Sequence, residues 1–326
     1  MASSTLAVGW AALRFDTNGV ATNFQDAIVL PLMRFCREHT IDLPSFVRGI
    51  GPFSSAPREL ARSYRRILGA ATLADLPEPG PGVPEFIFNT TNMEQNTRFS
   101  FSKREAYDRS VGTICSPRFP LTEVIAASSA FPPIFAPFEF DMGQDDWAPG
   151  HQWADDVDAS YRGRIALADG GIYDNMGLEP IWKERSILLV SNAGDPFPDD
   201  DTPPHQWFSQ MRRVIRMMHR QAENNRKRWL IERSRPDITS AAYRQHVALW
   251  QIEGSARSYN PPGGAAPVAP GASDAAKHEV RLKALEFDEA EALFQHGYSM
   301  ADAAVRTWWP AMREKSPPSA LPRCPV

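Results

Sequence analysis

The chain has 326 residues, of which 43% are hydrophobic, and this is enough apolar content for a large core in one big domain or two modest ones. A formal net charge of -4 and a pI near 6.0 exclude a protein that is basic overall and coats nucleic acid, so we expect no nucleic-acid partner. The cysteines, Cys36, Cys115 and Cys324, are too few and too widely spaced for a disulfide framework or a Cys-rich zinc site. They indicate a reducing compartment, and we expect a cytoplasmic protein.

The first third of the chain has mostly helical periodicity. The opening residues, "MASSTLAVGWAALRF", lack the basic start and long apolar core of a secretory signal and predict a helix whose own beginning lies upstream. Two amphipathic helices follow in "NFQDAIVLPLMRFCREH", which Pro31 interrupts, and "SAPRELARSYRRILGAATL", which Ser55 and Pro57 open. No apolar run reaches the roughly 20 residues that span a bilayer.

The pattern then changes to short strands that alternate with helices. Helices are predicted for "PLTEVIAASSAF" and, more briefly, "LEPIWKE"; strands are predicted for "EFIFNTTN", "TRFSFSK", "IFAPFEFDM", "RIALADGG", "SILLVSNAG" and "HVALWQIEG". The segment "SILLVSNAG" is apolar enough to be buried on both faces of a sheet. We therefore predict an α/β fold with a mainly parallel central sheet covered by helices. Two further helices, "DEAEALFQHG" and "MADAAVRTWW", are predicted near the end of the chain.

Two segments are predicted to be loops. Residues 143–163 form an acidic surface loop, and residues 259–273 form a Pro/Gly-rich flexible loop. The acidic segment "DDVDAS" fails as an EF-hand, because counting Asp156 as the first ligand places Tyr161 where glycine is required and Leu167 where the bidentate Glu is required. The 7 histidines show no His-x-x-x-His spacing. We therefore expect no metal and no cofactor.

A long basic helix is predicted over residues 205–234. One face carries Met211, Val214, Ile215, Met218 and Ala222, and the other carries Arg212, Arg213, Arg216, Arg220 and Lys227. We expect the apolar face to pack on the sheet and the basic face to be solvated. The alternative is peripheral membrane contact through the basic helix near 212–228, with its basic face on an anionic lipid surface.

The stretch "ALADGGIYDN", residues 166–175, ends an apolar strand on a carboxylate. Asp169 stands at the carboxyl end of the predicted strand, where ligands of open α/β sheets gather, and Gly170 and Gly171 allow the main chain to turn sharply beside it. A carboxylate held there can act as a general base toward a nearby hydroxyl. Asp-Gly is also a common turn dipeptide, so these residues alone leave a simple turn as the alternative.

Several segments, in this order, resemble the patatin-like phospholipases. "LADGGIYDNMGLEP" resembles the Asp-Gly-Gly segment of that family, "VIAASSAFPPIFAP" is similar to its Ala-Ser-Ser-Ala segment, and "FIFNTTN", "RFSFSK" and "ILLVSNAG" look like its central strands. The resemblance covers roughly residues 4–235. It implies a serine acyl hydrolase with a Ser-Asp dyad, no histidine and no cofactor, in which Asp169 is the base and Gly170 and Gly171 support its turn.

Four polar residues near these motifs have structural interpretations. Ser128 and Ser129 are interpreted as small residues in a buried helix end rather than as nucleophiles. Asn89 and Asn92 either line the same pocket as Asp169 or satisfy local backbone groups at a strand end. We favour the second interpretation.

The resemblance also implies a nucleophile that these 326 residues do not supply. In the family the serine lies in Gly-x-Ser-x-Gly on a strand-to-helix turn, and a glycine-rich segment provides the amides of the oxyanion hole. The chain has no Gly-x-Ser-x-Gly. The most similar segment, "GASDA" at 271–275, lies in the Pro/Gly-rich segment with no strand before it. "TLAVGWAALRFD" matches the helix that follows the nucleophile, with Trp10 a little way along it, which places the serine at or just before Met1.

The missing serine can be accounted for in three ways. The start is misplaced or truncated, or the product is a short one that has lost catalysis, or Ser3 or Ser4 substitutes; we favour the first. We therefore expect residues 1–326 to be a single patatin-like domain that lacks its N-terminal strand and nucleophile turn and is inactive as it stands. The complete protein is expected to hydrolyse a lipid acyl ester. The alternative is a non-catalytic lipid-binding or scaffold pseudoenzyme of the same fold.

Overall fold

A computed structural model describes residues 2–38, 56–132, 135, 137–143, 147–148, 160–194, 204–235, 245–259 and 284–309. Most of the predicted loops at 143–163 and 259–273 lie outside the described residues. These residues form two compact units, one reaching to Gly177 and including 284–286, the other made of the rest from Leu178 onward. That residues 1–326 are one patatin-like domain stays a prediction.

Six α-helices lie among the described residues of the first unit. They are α1 (Ala2–Gly9), α2 (Leu30–Glu38), α3 (Ala56–Leu68), α4 (Leu121–Ser128), α5 (Ser160–Gly163) and α6 (Gly170–Asp174). Pro31 is the second residue of α2, which directly follows a π-helical turn over Gln25–Val29. Gly69 ends α3 with a φ of 63°, and its N–H donates to the Arg65 carbonyl oxygen (2.9 Å), which is the usual glycine stop of a helix.

The first unit contains a six-stranded sheet in the order β4-β3-β2-β1-β6-β5. Its strands are β1 (Phe88–Asn92), β2 (Thr97–Phe101), β3 (Glu105–Asp108), β4 (Gly112–Cys115), β5 (Phe138–Asp141) and β6 (Arg164–Asp169). Every neighbouring pair is antiparallel, so the prediction of a mainly parallel central sheet is wrong for this sheet. The connections at 93–96, 102–104 and 109–111 are too short for the crossover that a parallel pair requires.

The turn between β1 and β2 shows how the local sequence builds these hairpins. The Asn92 side chain accepts hydrogen bonds from the N–H groups of Glu94 (3.0 Å) and Gln95 (3.2 Å). Asn96 then adopts a φ of 54°, which asparagine tolerates better than most residues. The strand can therefore reverse within four residues, as an antiparallel neighbour requires.

The core of the first unit is rich in phenylalanine. The rings of Phe99 and Phe140 lie 4.9 Å and 5.4 Å from the ring of Phe101, and Phe99 and Phe101 are fully buried. Helix α4 packs on β1 and β6, and α3 packs on α4. Burial of each such ring contributes about 1.5–3 kcal/mol, so this cluster fixes the strands against the helices.

The second unit contains a parallel pair of strands. These are β7 (Ile187–Asn192) and β8 (His246–Gln251), joined through α7 (Trp207–Arg233), and α8 (Phe287–Trp308) packs on β8. Burial alternates along β7, with Leu188 and Val190 inside and Leu189 exposed, so the prediction that both of its faces are buried is wrong.

The short helix predicted at 178–184 is a series of turns, and the two predicted C-terminal helices are one helix, α8. None of the helices among the described residues combines the length and the apolar content needed to cross a bilayer.

Helix α7 is turned opposite to the prediction. Met211, Val214, Ile215 and Met218 are exposed, whereas Lys227, which we expected in solvent, is buried. The cause is polar pairing across the second unit. Buried Glu223 accepts a hydrogen bond from the Asn192 amide (2.7 Å) and forms ion pairs with Lys227 and Arg220, and Arg220 also pairs with Glu253 (2.7 Å). A charged set satisfied in this way draws the polar side of the helix inward.

Candidate functional site

Asp169 is the last residue of β6, and its backbone is held by three neighbours. It lies opposite Thr90 of β1, its N–H donates to the Ala130 carbonyl oxygen (3.0 Å), and its carbonyl oxygen accepts the Thr91 hydroxyl proton (2.7 Å). Its side chain is half-buried, and one carboxylate oxygen accepts the Gly171 N–H (2.7 Å) as the cap of α6. The carboxylate therefore stands at a fixed place on a rigid sheet, where it can accept a proton without a rearrangement of the chain.

Glycine is needed at each of the two positions after Asp169 for a different physical reason. Gly170 is buried, and a Cβ atom there would lie 2.3 Å from the Asn89 carbonyl oxygen, so no other residue fits without moving β1. A Cβ atom on Gly171 would lie 3.0 Å from the Asp169 carboxylate oxygen Oδ1 and 2.9 Å from the Asn175 side-chain oxygen. Gly170 thus permits β6 to approach β1, and Gly171 leaves room for the Asp169 carboxylate.

Tyr64 and Ser129 lie beside Asp169, although nothing in the sequence pattern singled out Tyr64. The Tyr64 hydroxyl hydrogen-bonds Ser129, and its ring is buried on α3. Burial raises the pKa of Tyr64, the bond to Ser129 lowers it, and the nearby Asp169 charge raises it further. Tyr64 is therefore a neutral phenol close to the candidate base.

Ser128, the residue before Ser129, supports the backbone next to the site. The Ser128 hydroxyl donates to the Asn89 carbonyl oxygen (2.8 Å), and the Ser129 hydroxyl donates to the Ile125 carbonyl oxygen (2.8 Å). These bonds agree with the interpretation of both serines as structural residues of a helix end.

The two asparagines of β1 lie at different ends of the strand. Asn89 adjoins Gly170, and its side-chain oxygen accepts a hydrogen bond from Arg98 (3.4 Å). Asn92 lies opposite Leu167, away from Asp169, where its amide donates to Asp108 (3.1 Å) and its oxygen holds the β1–β2 turn. The interpretation of Asn92 as a local backbone partner is confirmed, whereas Asn89 borders the candidate site.

Helix α1 packs on α3, the helix that carries Tyr64. Ala7 of α1 belongs to the same buried cluster as Leu60, Ala61 and Tyr64 of α3, and Tyr64 is the residue that reaches Ser129 and Asp169. Ser3 is exposed and Ser4 is buried, both within α1. The segment 271–275, which has the nearest spelling to the nucleophile motif, lies outside the described residues.

The chain matches one protein family over the part that contains this site. Residues 28–182 match the family model described as patatin-like phospholipase. It includes α2, the whole six-stranded sheet and the Asp-Gly-Gly turn at 169–171. No curated protein matches the chain. The family match supports a lipid acyl hydrolase function, and it confirms the resemblance that the motifs indicated.

Proposed function

We propose that the complete protein hydrolyses a lipid acyl ester through a Ser-Asp dyad in which Asp169 is the general base. The observation that carries the proposal is the placement of Asp169 at the end of β6, half-buried and with its backbone hydrogen-bonded to β1 and to the end of α4. The family match over residues 28–182 supports the substrate class. Gly170 supports the proposal by letting β6 approach β1, and Gly171 supports it by leaving room for the Asp169 carboxylate.

The reaction proceeds through an acyl-enzyme. The serine oxygen adds to the acyl carbonyl carbon while its proton passes to Asp169, and backbone amides hold the negative oxygen that develops. The carbon–oxygen bond to the leaving alcohol then breaks, and the alcohol takes the proton. Water hydrolyses the acyl-enzyme in the second half, again giving a proton to Asp169, which returns it to the serine.

The nucleophile belongs to this proposal as a residue that precedes Met1 in the complete protein. Support comes from the packing of α1, the helix that resembles the one following the nucleophile in the family. Its Ala7 and the Asp169 neighbour Tyr64 lie in one buried cluster. A serine on a turn that opens α1 would belong to the same unit as the carboxylate, and α1 packs on α3, the helix that carries Tyr64.

The test is an extended protein that includes the sequence encoded in frame upstream of Met1. A fluorophosphonate probe should label one serine of this protein, and Asp169→Asn should lower both labelling and ester turnover about 10²–10⁴-fold. Asp141→Asn is the matched control, since Asp141 is an exposed carboxylate at the end of the neighbouring strand β5, and it should keep full activity.

Two results would contradict the dyad. One is an in-frame stop directly upstream, with no serine adduct on the natural product; retained lipid binding would then favour a non-catalytic lipid-binding protein. The other is unchanged labelling and turnover in the Asp169→Asn variant.

We also propose that the protein meets its substrate as a peripheral membrane protein, with α7 in contact with the lipid.

A further inference from the structure

Helix α7 carries an apolar surface on the side that points away from its unit. We call it the α7 outer face, and it consists of Trp207, Phe208, Met211, Val214, Ile215 and Met218. At 100° per residue these side chains fall within one stripe of the helix. Trp207 is 75% exposed and Met218 is 68% exposed, so the stripe is open to solvent along the first three turns of α7.

The opposite side of α7 is already occupied by polar partners. Glu223 and Lys227 are buried there, and the amides of Asn192 and Gln251 complete their hydrogen bonds. Because the two faces lie on opposite sides of one rigid helix, rotation that buried the outer face would break this ionic network. The apolar side is therefore held outward by the unit itself.

The charges around the α7 outer face favour an anionic surface. Between Trp207 and Ala222 the helix carries no acidic residue, and Arg212 is exposed at the edge of the stripe, although the chain as a whole has a net charge of -4. Two copies paired through this face would place Arg212 of each copy beside the contact, and residues 207–222 hold no acidic residue to pair with it. An anionic bilayer offers hydrocarbon to the stripe, headgroup charge to Arg212, and an interface at which tryptophan is favoured.

From this arrangement we infer that the α7 outer face inserts into the interfacial layer of an anionic lipid bilayer. This inference rests on the proposed peripheral lipid association and identifies the apolar stripe as the element that inserts. Arg212, which is exposed at the edge of the stripe, contacts the headgroups. The basic face alone does not make the contact, because Arg220 and Lys227 are engaged within the unit.

The test compares binding to vesicles of phosphatidylcholine with and without phosphatidylglycerol by co-sedimentation. All proteins carry Asp169→Asn, so that hydrolysis cannot alter the lipids. The parent protein should prefer the anionic vesicles, and Ile215→Glu with Met218→Glu should weaken binding at least about tenfold, or about 1.4 kcal/mol. The matched control is Val20→Glu with Met93→Glu, which adds the same charge at two exposed apolar positions outside α7 and should bind as the parent does.

Two further measurements distinguish insertion from adsorption by charge alone and from pairing of two copies. Trp207→Phe should remove a vesicle-dependent blue shift from the tryptophan emission, and about 0.5 M salt should weaken binding without abolishing it, because only the arginine contribution is screened. Equal binding of the Ile215 and Met218 variant, or no binding of the parent to either vesicle, would overturn the inference. A parent dimer that the double variant converts to a monomer, with no vesicle binding, would overturn it in favour of a second copy. Because every protein in the binding test already lacks the proposed base, failure of the hydrolase proposal leaves these results unchanged, and the two proposals fail separately.

Discussion

Replacement of Gly170 by alanine is the sharpest test of how β6 meets β1. The added Cβ would lie 2.3 Å from the Asn89 carbonyl oxygen and 2.8 Å from the Asn89 carbonyl carbon, both well short of the 3.4 Å at which ordinary contact begins. Both atoms are backbone of a strand that is hydrogen-bonded on each side, so neither can move cheaply. Overpacking of this kind costs about 3 kcal/mol.

That cost should appear as a lower melting temperature. For a unit of this size about 3 kcal/mol corresponds to a shift of about 6–12 °C. Gly80→Ala is the control, because a Cβ atom on Gly80 would meet nothing within 4 Å in the same unit. Differential scanning calorimetry of the two variants and the parent measures the difference. A Gly170→Ala protein that melts with the Gly80→Ala control would refute the reasoning.

Gly171→Ala should separate stability from activity. Its Cβ would meet the ends of two side chains, the Asp169 and Asn175 oxygens at 3.0 Å and 2.9 Å, rather than backbone. The fold can therefore adapt at small cost, but only by moving the Asp169 carboxylate. In the extended enzyme we expect a lower kcat with a melting temperature near that of the parent. Normal activity together with a large loss of stability would contradict this division of roles.

Three substitutions test the second unit. Lys227→Met should lower the free energy of unfolding in urea by about 3 kcal/mol, because it leaves buried Glu223 with fewer partners. Burial raises the pKa of Glu223, but the hydrogen bonds from Lys227 and Asn192 and the charges of Lys227 and Arg220 outweigh it, so the pKa is lowered from 4.5. Because the folded-state pKa is lowered, Glu223 contributes stability that is fully present above the unfolded-state pKa of 4.5 and is lost as the pH falls through the folded-state pKa. Glu223→Gln should therefore flatten the dependence of the free energy of unfolding on pH below 4.5. Gly297→Ala, inside α8 with nothing within 4 Å of the new Cβ, should raise the free energy of unfolding by about 1 kcal/mol.

Local pattern was sufficient to predict most of the elements. The alternation in "TRFSFSK" predicts β2, and Phe99 and Phe101 are fully buried there. The apolar run that ends at Asp169 predicts β6, whose last residue is that aspartate. These predictions depend on neighbours along the chain, and burial of one face of a strand follows directly from its period.

The pairing of β6 with β1 and the orientation of α7 depend on residues far apart in sequence. The stripe from Met211 to Met218 has the spacing of a core-facing helix, and only the partners of Glu223 reveal that the other side faces inward. Those partners include Asn192, which lies 31 positions away. Likewise, Tyr64 comes next to Asp169 through the packing of α3 on α4, for which the sequence of α3 carries no signal. Tertiary pairing of this kind overrides amphipathic pattern.

The register of β1 against β6 has a consequence for how the protein tolerates change. Thr90 faces Asp169 across the ladder, and successive side chains of a strand point to opposite sides. Inserting a single residue within β6 would place Ala168 opposite Thr90, and deleting one would place Gly170 there; either change moves the carboxylate to the other face of the sheet. The connecting segments can therefore change in length more freely than β6, because the number of residues in β6 fixes the position of the Asp169 carboxylate.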